Sequence, residues 1–171
     1  MIERELALRA LSSAGCSGQV IQHCLTVERG ALEIAQKIKA NHHTIDLNLV
    51  SVGALLHDIG RAKTHGIRHG VIGGQTLREI GLGEFARFAE NHLGAGIPAG
   101  EAKALGLPAR DFVPRTLEEK VVTYADKLTT GSHTTSYAGA LEWFKSELGP
   151  EHPAIERFKK LHLEIEKLSA K

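Results

Sequence analysis

Cysteine is scarce in this chain: of 171 residues only Cys16 and Cys24 are cysteines, eight positions apart and forming no Cys-x-x-Cys pair. That pattern gives no disulfide framework, and the expectation is two buried free thiols in a reducing cytosol. Excess charge is also missing. Lys and Arg number 21 against 20 Asp and Glu, a formal net charge of +1, so there is no global pull toward nucleic acid or membrane. No apolar run approaches the roughly 18 residues that span a bilayer. The opening residues Met1, Ile2, Glu3, Arg4 and Glu5 lack the basic-then-apolar pattern of a secretory signal, and the expected location is cytoplasmic. Alternating strand patterns, internal repeats and low-complexity segments are absent as well. A hydrophobic content of 42% and a charged content of 24% then describe an ordinary globular domain, and the length favours one domain with a core of its own.

What the chain has in quantity is histidine, ten residues, set among stretches of helical period. A short helix is expected over residues 2–11. Ser17 suits the N-cap of a long helix to about residue 40. Its core-facing stripe is Val20, Cys24, Val27, Ala31, Ile34 and Ile38. His23 shares a face with Val20, Val27 and Ile34, and so points inward or to the core's edge. Asp46 suits the N-cap of a helix over 47–58, apolar around most of its circumference and therefore central. That helix ends in His57-Asp58, with Gly60 suited to the left-handed closing position. Helices over 69–80 and 83–92 follow, then a loop over 94–114 holding a short helical turn. Thr116-Leu-Glu-Glu119 is a capping-box signature. It opens a helix to about residue 129 whose stripe includes Val121, Val122, Ala125 and Leu128, with Asp126 at the inward edge. Two more helices are expected, about 136–148 and 154–169, the second with Pro153 in its first turn. The fold class is all-α: one domain, a core over about 17–130, and helices of about 136–169 packed on it.

Imidazoles and carboxylates presented from several elements toward one point are what a divalent transition metal needs. His23, His57, Asp58, His69, His92 and Asp126 supply such a set for Mn, Fe, Co, Ni or Zn. Adjacent residues on a helix point about 100° apart, so His57 and Asp58 can serve one ion only from a helix end, or with Asp58 turned to a second ion. Its two oxygens could bridge two metals. Two ions roughly 3.5–4 Å apart clamp the attacking and leaving oxygens of a phosphoryl displacement. A carboxylate at a helix C-terminus also sits badly against the negative end of the dipole, which favours a cation there. Arg61 is the first choice for gripping a phosphate, with Lys127 second and Arg68 a further flanking cation. His65 is left open between ligand, substrate contact and solvent. His42, His43, His133, His152 and His162 are expected at the surface. Gly70, Gly73 and Gly74 follow no strand, make no P-loop, and are assigned to helix packing.

The pattern resembles the HD superfamily of metal-dependent phosphohydrolases in its HDIG branch, here His57-Asp58-Ile59-Gly60, over about residues 17–128. The layout is similar to the di-iron dinucleotide hydrolases of bacteria and, more closely, to small uncharacterised archaeal HDIG proteins. The resemblance implies an HD-type helical domain with its metal site in the bundle core. It implies His23, His57, Asp58 and Asp126 on one ion, with His69 and His92 added for a second. It further implies that a basic residue near Arg61 meets phosphate. Larger two-metal members often carry a His-His pair before the last Asp. Here the only such pair, His42-His43, lies upstream of the motif, which leaves the second ion weakly held or absent until substrate arrives.

The expected function is a metal-dependent phosphohydrolase, phosphomonoesterase or phosphodiesterase, acting through a metal-activated hydroxide. The expected substrate is a small phosphorylated molecule such as a nucleotide or cyclic phosphate. Asp58 and Arg61 are the expected catalytic residues; Arg61, Lys127 and Arg68 are the expected substrate-binding residues. One or two divalent ions are expected, Mg being admissible beside the transition metals. The alternatives are a di-iron oxygenase on the same ligands and a non-catalytic ligand-binding module. No membrane role and no clear nucleic-acid binding are expected. Residues 94–114 form either a pocket rim or lid or a plain surface loop, and Trp143, Phe144 and the last helix either cap the core or meet a second copy in a homodimer.

Overall fold

Side-chain caps fix where several of the helices begin. In this computed structural model, which describes residues 4–170, α1 spans Arg4–Ala14 and the Ser17 hydroxyl then accepts the Val20 amide to open α2, Gly18–Ala40. The expected start of α1 at Ile2 lies outside the described residues. Asp46 accepts the amides of Asn48 and Leu49 and opens α3, Leu47–Leu56. After α4 (His69–Glu79), α5 (Ala86–Asn91) and α6 (Ala99–Ala104), Thr116 accepts the Glu119 amide and opens α7, Leu117–Lys127. The Glu119 carboxylate does not return to Thr116. It takes the Arg115 amide and the Asn91 side chain instead, which ties α7 to α5. α8 (Tyr137–Leu148) and α9 (Pro153–Ser169) complete the helices.

α3 is the axis of the bundle. Val50, Val52, Gly53, Ala54, Leu55 and Leu56 are all buried, and α1, α2, α5 and α7 pack around them. An apolar surface on every side has no other stable place. In α2 the stripe is buried at Val20, Cys24, Val27, Ala31 and Ile38, but Ile34 is half-buried and Ala35 takes its place. Alternating steps of three and four drift against a true period of 3.6. α9 crosses α2 and α7, and α8 leans on α9. Both cysteines are buried and free. Among the described residues no helix is long and apolar enough to cross a membrane.

Three local expectations are corrected. Gly60 is not left-handed: it lies in a 3-10 turn, Ile59–Ala62, with no positive φ. Its missing Cβ matters because α4 passes so close that such an atom would strike the His69 carbonyl oxygen and come within 2.6 Å of the Gly73 amide. The segment over 94–114 is more ordered than a loop. Beside α6 it forms an antiparallel bridge, Ile97 with Phe112, over a small core of Leu93, Ile97, Ala102, Leu107 and Phe112. The helix expected to reach residue 129 ends at Lys127, and a two-residue hairpin follows, Thr129–Thr130 against His133–Thr134. Strands that short carry no alternation to read. Gly70, Gly73 and Gly74 do serve packing, since a Cβ on each would meet Ala89 or Glu90 within 3.0 Å.

Candidate metal centre

α3 stops just before the His-Asp pair. His57 keeps helical angles (φ −57°, ψ −34°), Asp58 leaves them (φ −104°, ψ 12°), and the chain tightens into the 3-10 turn. On an unbroken helix the two side chains would diverge by about 100°; the change of path lets both face one space. That space lies at the C-terminal ends of α3 and α7, beside the second turn of α2, the first residue of α4 and the residue following α5. His23, His57, Asp58, His69, His92 and Asp126 all reach it. The two helix C-termini contribute partial negative charge there.

Asp58 divides its oxygens between two groups of histidines. Its Oδ2 lies 3.7 Å from Nε2 of His23 and 3.8 Å from Nε2 of His57, while its Oδ1 lies 3.1 Å from Nε2 of His69 and 3.5 Å from Nε2 of His92. On the first side, Oδ1 of Asp126 stands 3.0 Å from Nε2 of His23 and 3.4 Å from Nε2 of His57. On the second, the Nε2 atoms of His69 and His92 are 3.1 Å apart. Ligand atoms of His23, His57 and Asp126, and separately those of His57, Asp58 and His92, fall within 4.8 Å of one another.

Backbone carbonyls set the tautomers. Nδ1 of His57 donates to Ala54 at 2.6 Å, that of His69 to Gly66 at 2.9 Å, that of His92 to Ala89 at 2.8 Å and that of His23 to Gly131 at 2.9 Å. A neutral ring with its proton on Nδ1 carries its lone pair on Nε2. With all four rings neutral, as ligands to a metal must be, four such lone pairs and two carboxylates converge. Nε2 of His57 and Oδ1 of Asp58 are buried without a hydrogen-bond partner, which is costly unless something else satisfies them. A cation would convert this mutual repulsion into coordination, and imidazole held by a carbonyl behind it is the usual support of a metal ligand. The donor set fits one or two divalent ions.

The carboxylates draw positive charge to this point, and at His57 they draw a proton that a metal would have to displace. Burial disfavours a charged ring at His57, yet Asp58 and Asp126 outweigh it and hold the His57 pKa well above its ordinary value. Burial likewise opposes charge on Asp58, but His57, His69 and His92 pull its pKa well below the carboxylate range. Against the same burial, Lys127, His23 and His57 pull Asp126 down. At His92 burial prevails, against the pull of Asp58, and pushes the pKa down to about 4.

A cavity of about 540 Å³ opens onto the centre. Arg61 and Lys127 line it, Arg61 donating to Asp58 and Lys127 to Asp126. Arg68, expected among the substrate cations, is not brought there. Its guanidinium donates to the Gly106 carbonyl at 3.2 Å, on another face, because turning His69 inward turns its chain neighbour outward. His65 is exposed on the cavity rim. Of the 94–114 segment only Gly94 lines the cavity. Trp143 is not core: it is 54% exposed on the cavity wall, while its neighbour Phe144 is buried. His162 is not a plain surface residue either, being stacked 3.5 Å from Tyr137 and hydrogen-bonded to the Tyr124 hydroxyl at 2.7 Å. Sequence reasoning missed the four carbonyls behind the histidines, which any residue type could supply. It also missed the hairpin, whose Thr129, Thr130 and Gly131 line the cavity.

The arrangement defines a helical protein whose buried histidines and aspartates could hold metal ions. The chain belongs to the HD domain family, whose model matches residues 20–131. It is 46% identical over 168 residues to an uncharacterized protein of Methanocaldococcus jannaschii, covering 98% of this chain and 99% of that one. It is also similar to two proteins named tRNA (cytidine(56)-2'-O)-methyltransferase. The one from Picrophilus torridus is 37% identical over 95% of this chain and 46% of its own length; the one from Thermoplasma volcanium is 40% identical over 91% and 44%. The chain therefore spans less than half of either methyltransferase. No solved structure matches.

Proposed function

We propose that this protein is a metal-dependent phosphohydrolase acting on a small phosphorylated molecule such as a nucleotide or a cyclic phosphate. The observation that carries the reading is the single carboxylate of Asp58 shared between the His23–His57 side and the His69–His92 side. His23, His57, Asp58 and Asp126 would hold one ion; Asp58, His69 and His92 would hold the other. Bound ions would acidify water near neutral pH and offset charge developing on phosphate oxygens. The chain's own contribution is positional. Asp58 and Asp126 compensate the ions' charge, and the carbonyls of Ala54, Gly66, Ala89 and Gly131 aim the rings. Arg61 and Lys127 stand where an anionic substrate would replace their present carboxylate partners. All four Nε2 atoms face the centre, which leaves none of these rings free to protonate the leaving oxygen.

Two cations beside the carboxylates favour an anionic substrate, and anaerobic turnover of a phosphate ester would separate hydrolysis from a di-iron oxygenase on the same ligands. The presence of all six ligand positions argues against a module that only binds. The names of the two methyltransferase relatives support a nucleotide or an RNA-derived phosphate over other esters. The test is release of phosphate or opening of cyclic phosphates across a panel of phosphorylated compounds with Mn, Fe, Co, Ni, Zn or Mg. Turnover should require an added metal and be lost on chelation. An Asp58→Ala protein that hydrolysed the same compound at the parent rate would end the proposal.

A further inference from the structure

The cavity wall is of two kinds. Part of it is the candidate metal centre with Arg61 and Lys127. Part is apolar: Ile67, Trp143 and Leu148, large hydrophobics each more than 40% exposed, all line this same cavity. Exposed apolar side chains gathered in one hollow mark a binding surface rather than scatter. Trp143 is braced for such a role. Its ring stands edge-on to Phe144 with centroids 5.5 Å apart, and Phe144 is stacked on Phe158 at 5.0 Å and 18°. The indole is thus seated on a buried aromatic pair while about half of its surface remains open. α8, which carries it, lies beyond the residues matched by the family model.

We propose that Trp143 is a specificity-determining residue that stacks on a planar heteroaromatic ring, a nucleobase, while the phosphate of the same molecule faces the metal centre. A flat ring suits an indole face, and base–aromatic stacking is among the stronger sequence-tolerant contacts available. A lipid-like tail suits the site less well. Ser17, Gln19, Thr129 and Thr130 share the wall, and an aliphatic occupant would cover their polar atoms without pairing them. A base presents ring nitrogens and exocyclic groups at its edge, which can pair with them. A cavity of about 540 Å³ lies within the usual range for a small-molecule site. The phosphate end of this assignment rests on the hydrolase reading; the ring end does not.

Trp143 is the sole tryptophan of the chain, so indole fluorescence reports on this position alone. Full-length protein with Mg2+ is titrated with adenosine 5'-monophosphate, adenosine and ribose 5-phosphate, exciting at the red edge of the indole band. The first two should quench saturably and ribose 5-phosphate should not. In the hydrolysis panel, W143A should lower the preference for nucleotides over ribose 5-phosphate, as a ratio of kcat/KM, by about tenfold, and W143F should restore most of it. Saturable quenching without turnover of any phosphate ester would leave the stacking subsite standing and remove the hydrolase reading. No quenching by adenosine or its monophosphate, or an unchanged preference in W143A, would overturn the subsite and leave hydrolysis to stand on its own test.

Discussion

Nε2 of His69 and Nε2 of His92 meet at 3.1 Å, although the Nδ1 proton of each ring is already held by a carbonyl three residues earlier, Gly66 and Ala89. Two neutral rings so oriented have no proton to share. A cation held by these two rings and Asp58 would remove the conflict. His69→Ala or His92→Ala should therefore lower bound metal from about two ions per chain to about one, with His23, His57 and Asp126 still holding theirs. Asp58→Ala should empty both sides and lower turnover by at least about a thousandfold, since charge stabilisation and positioning are lost together. Elemental analysis of the purified variants, with circular dichroism to confirm folding, decides the point. Equal metal content in His69→Ala and the parent would show that the second set of donors binds nothing.

Arg61 donates to Oδ2 of Asp58 from the cavity side. If its work is to hold the substrate's phosphate, Arg61→Ala should keep its metal while kcat/KM falls about 10- to 100-fold, the scale of one charge-assisted hydrogen bond. Arg61→Lys should recover little, because a point charge on a flexible stem cannot reproduce a planar fork. Steady-state kinetics on the best substrate of the panel, paired with metal analysis, separates this role from a structural one. A parallel loss of metal would assign Arg61 to holding Asp58 instead.

How much of this was legible in sequence follows from which groups carry the information. His23, His57, Asp58, His69, His92 and Asp126 are side chains of distinctive chemistry set in or at the ends of helical stretches, and all six converge. The caps at Ser17, Asp46 and Thr116 were equally readable, because a hydroxyl or carboxylate preceding a periodic run has one main local use. Ala54, Gly66, Ala89 and Gly131 could not be found, since they act through carbonyls that every residue has. Arg68 was expected at the site, and the core alternative for Trp143 failed, for a shared reason. Each adjoins a residue whose direction the fold fixes, Phe144 inward and His69 toward the centre, and the neighbour on a helix is turned away. Gly60 was rightly singled out, but its use is close approach to α4, which depends on the tertiary path and not on the local turn.

Gly60→Ala tests that approach. The added methyl would strike the His69 carbonyl oxygen and crowd the Gly73 amide, both backbone atoms that cannot rotate away. Overpacking of this kind costs about 1–3 kcal/mol, and relief requires α4 to shift, carrying His69 with it. Thermal denaturation should show a fall in Tm. Metal titration should show weakened binding on the His69–His92 side and little change on the His23–Asp126 side. An alanine variant as stable as the parent would contradict the close contact.

The buried charges give metal-free protein a two-sided dependence on pH. His92 is depressed to about 4 from an ordinary 6.5; between these values the unfolded chain binds the extra proton, so stability falls as pH drops through that window. The depressed carboxyls of Asp58 and Asp126 add to the loss once pH falls below their ordinary value of 3.8. His57 acts in the opposite sense. Its raised pKa contributes stability that is fully present below 6.5 and lost as pH rises through the folded value. Metal-free Tm should therefore peak near the middle of the range and decline on both arms. Metal displaces the His57 proton, so saturating metal should abolish the alkaline decline. Calorimetric titration in buffers of different ionisation enthalpy should then register proton release. Binding without proton release at a pH below the His57 value would contradict the raised pKa.

The hairpin after α7 supplies the last test, because Gly131 combines two properties that can be separated. Its carbonyl accepts Nδ1 of His23 at 2.9 Å, and its φ of +58° is left-handed. A Cβ there would meet nothing within 4 Å, so Gly131→Ala introduces no clash, only the strain of a left-handed residue, about 1 kcal/mol. The carbonyl is retained in the variant, but the hairpin that presents it is less firmly set. Supports of this kind behind a metal-ligating histidine are worth about 10- to 100-fold in affinity. Gly131→Ala should sit at the low end of that range: weaker metal on the His23–Asp126 side, unchanged metal on the His69–His92 side, and a Tm lowered only slightly. A variant with the parent's affinity on both sides would show that His23 is aimed by α2 alone and that the hairpin serves only the cavity wall.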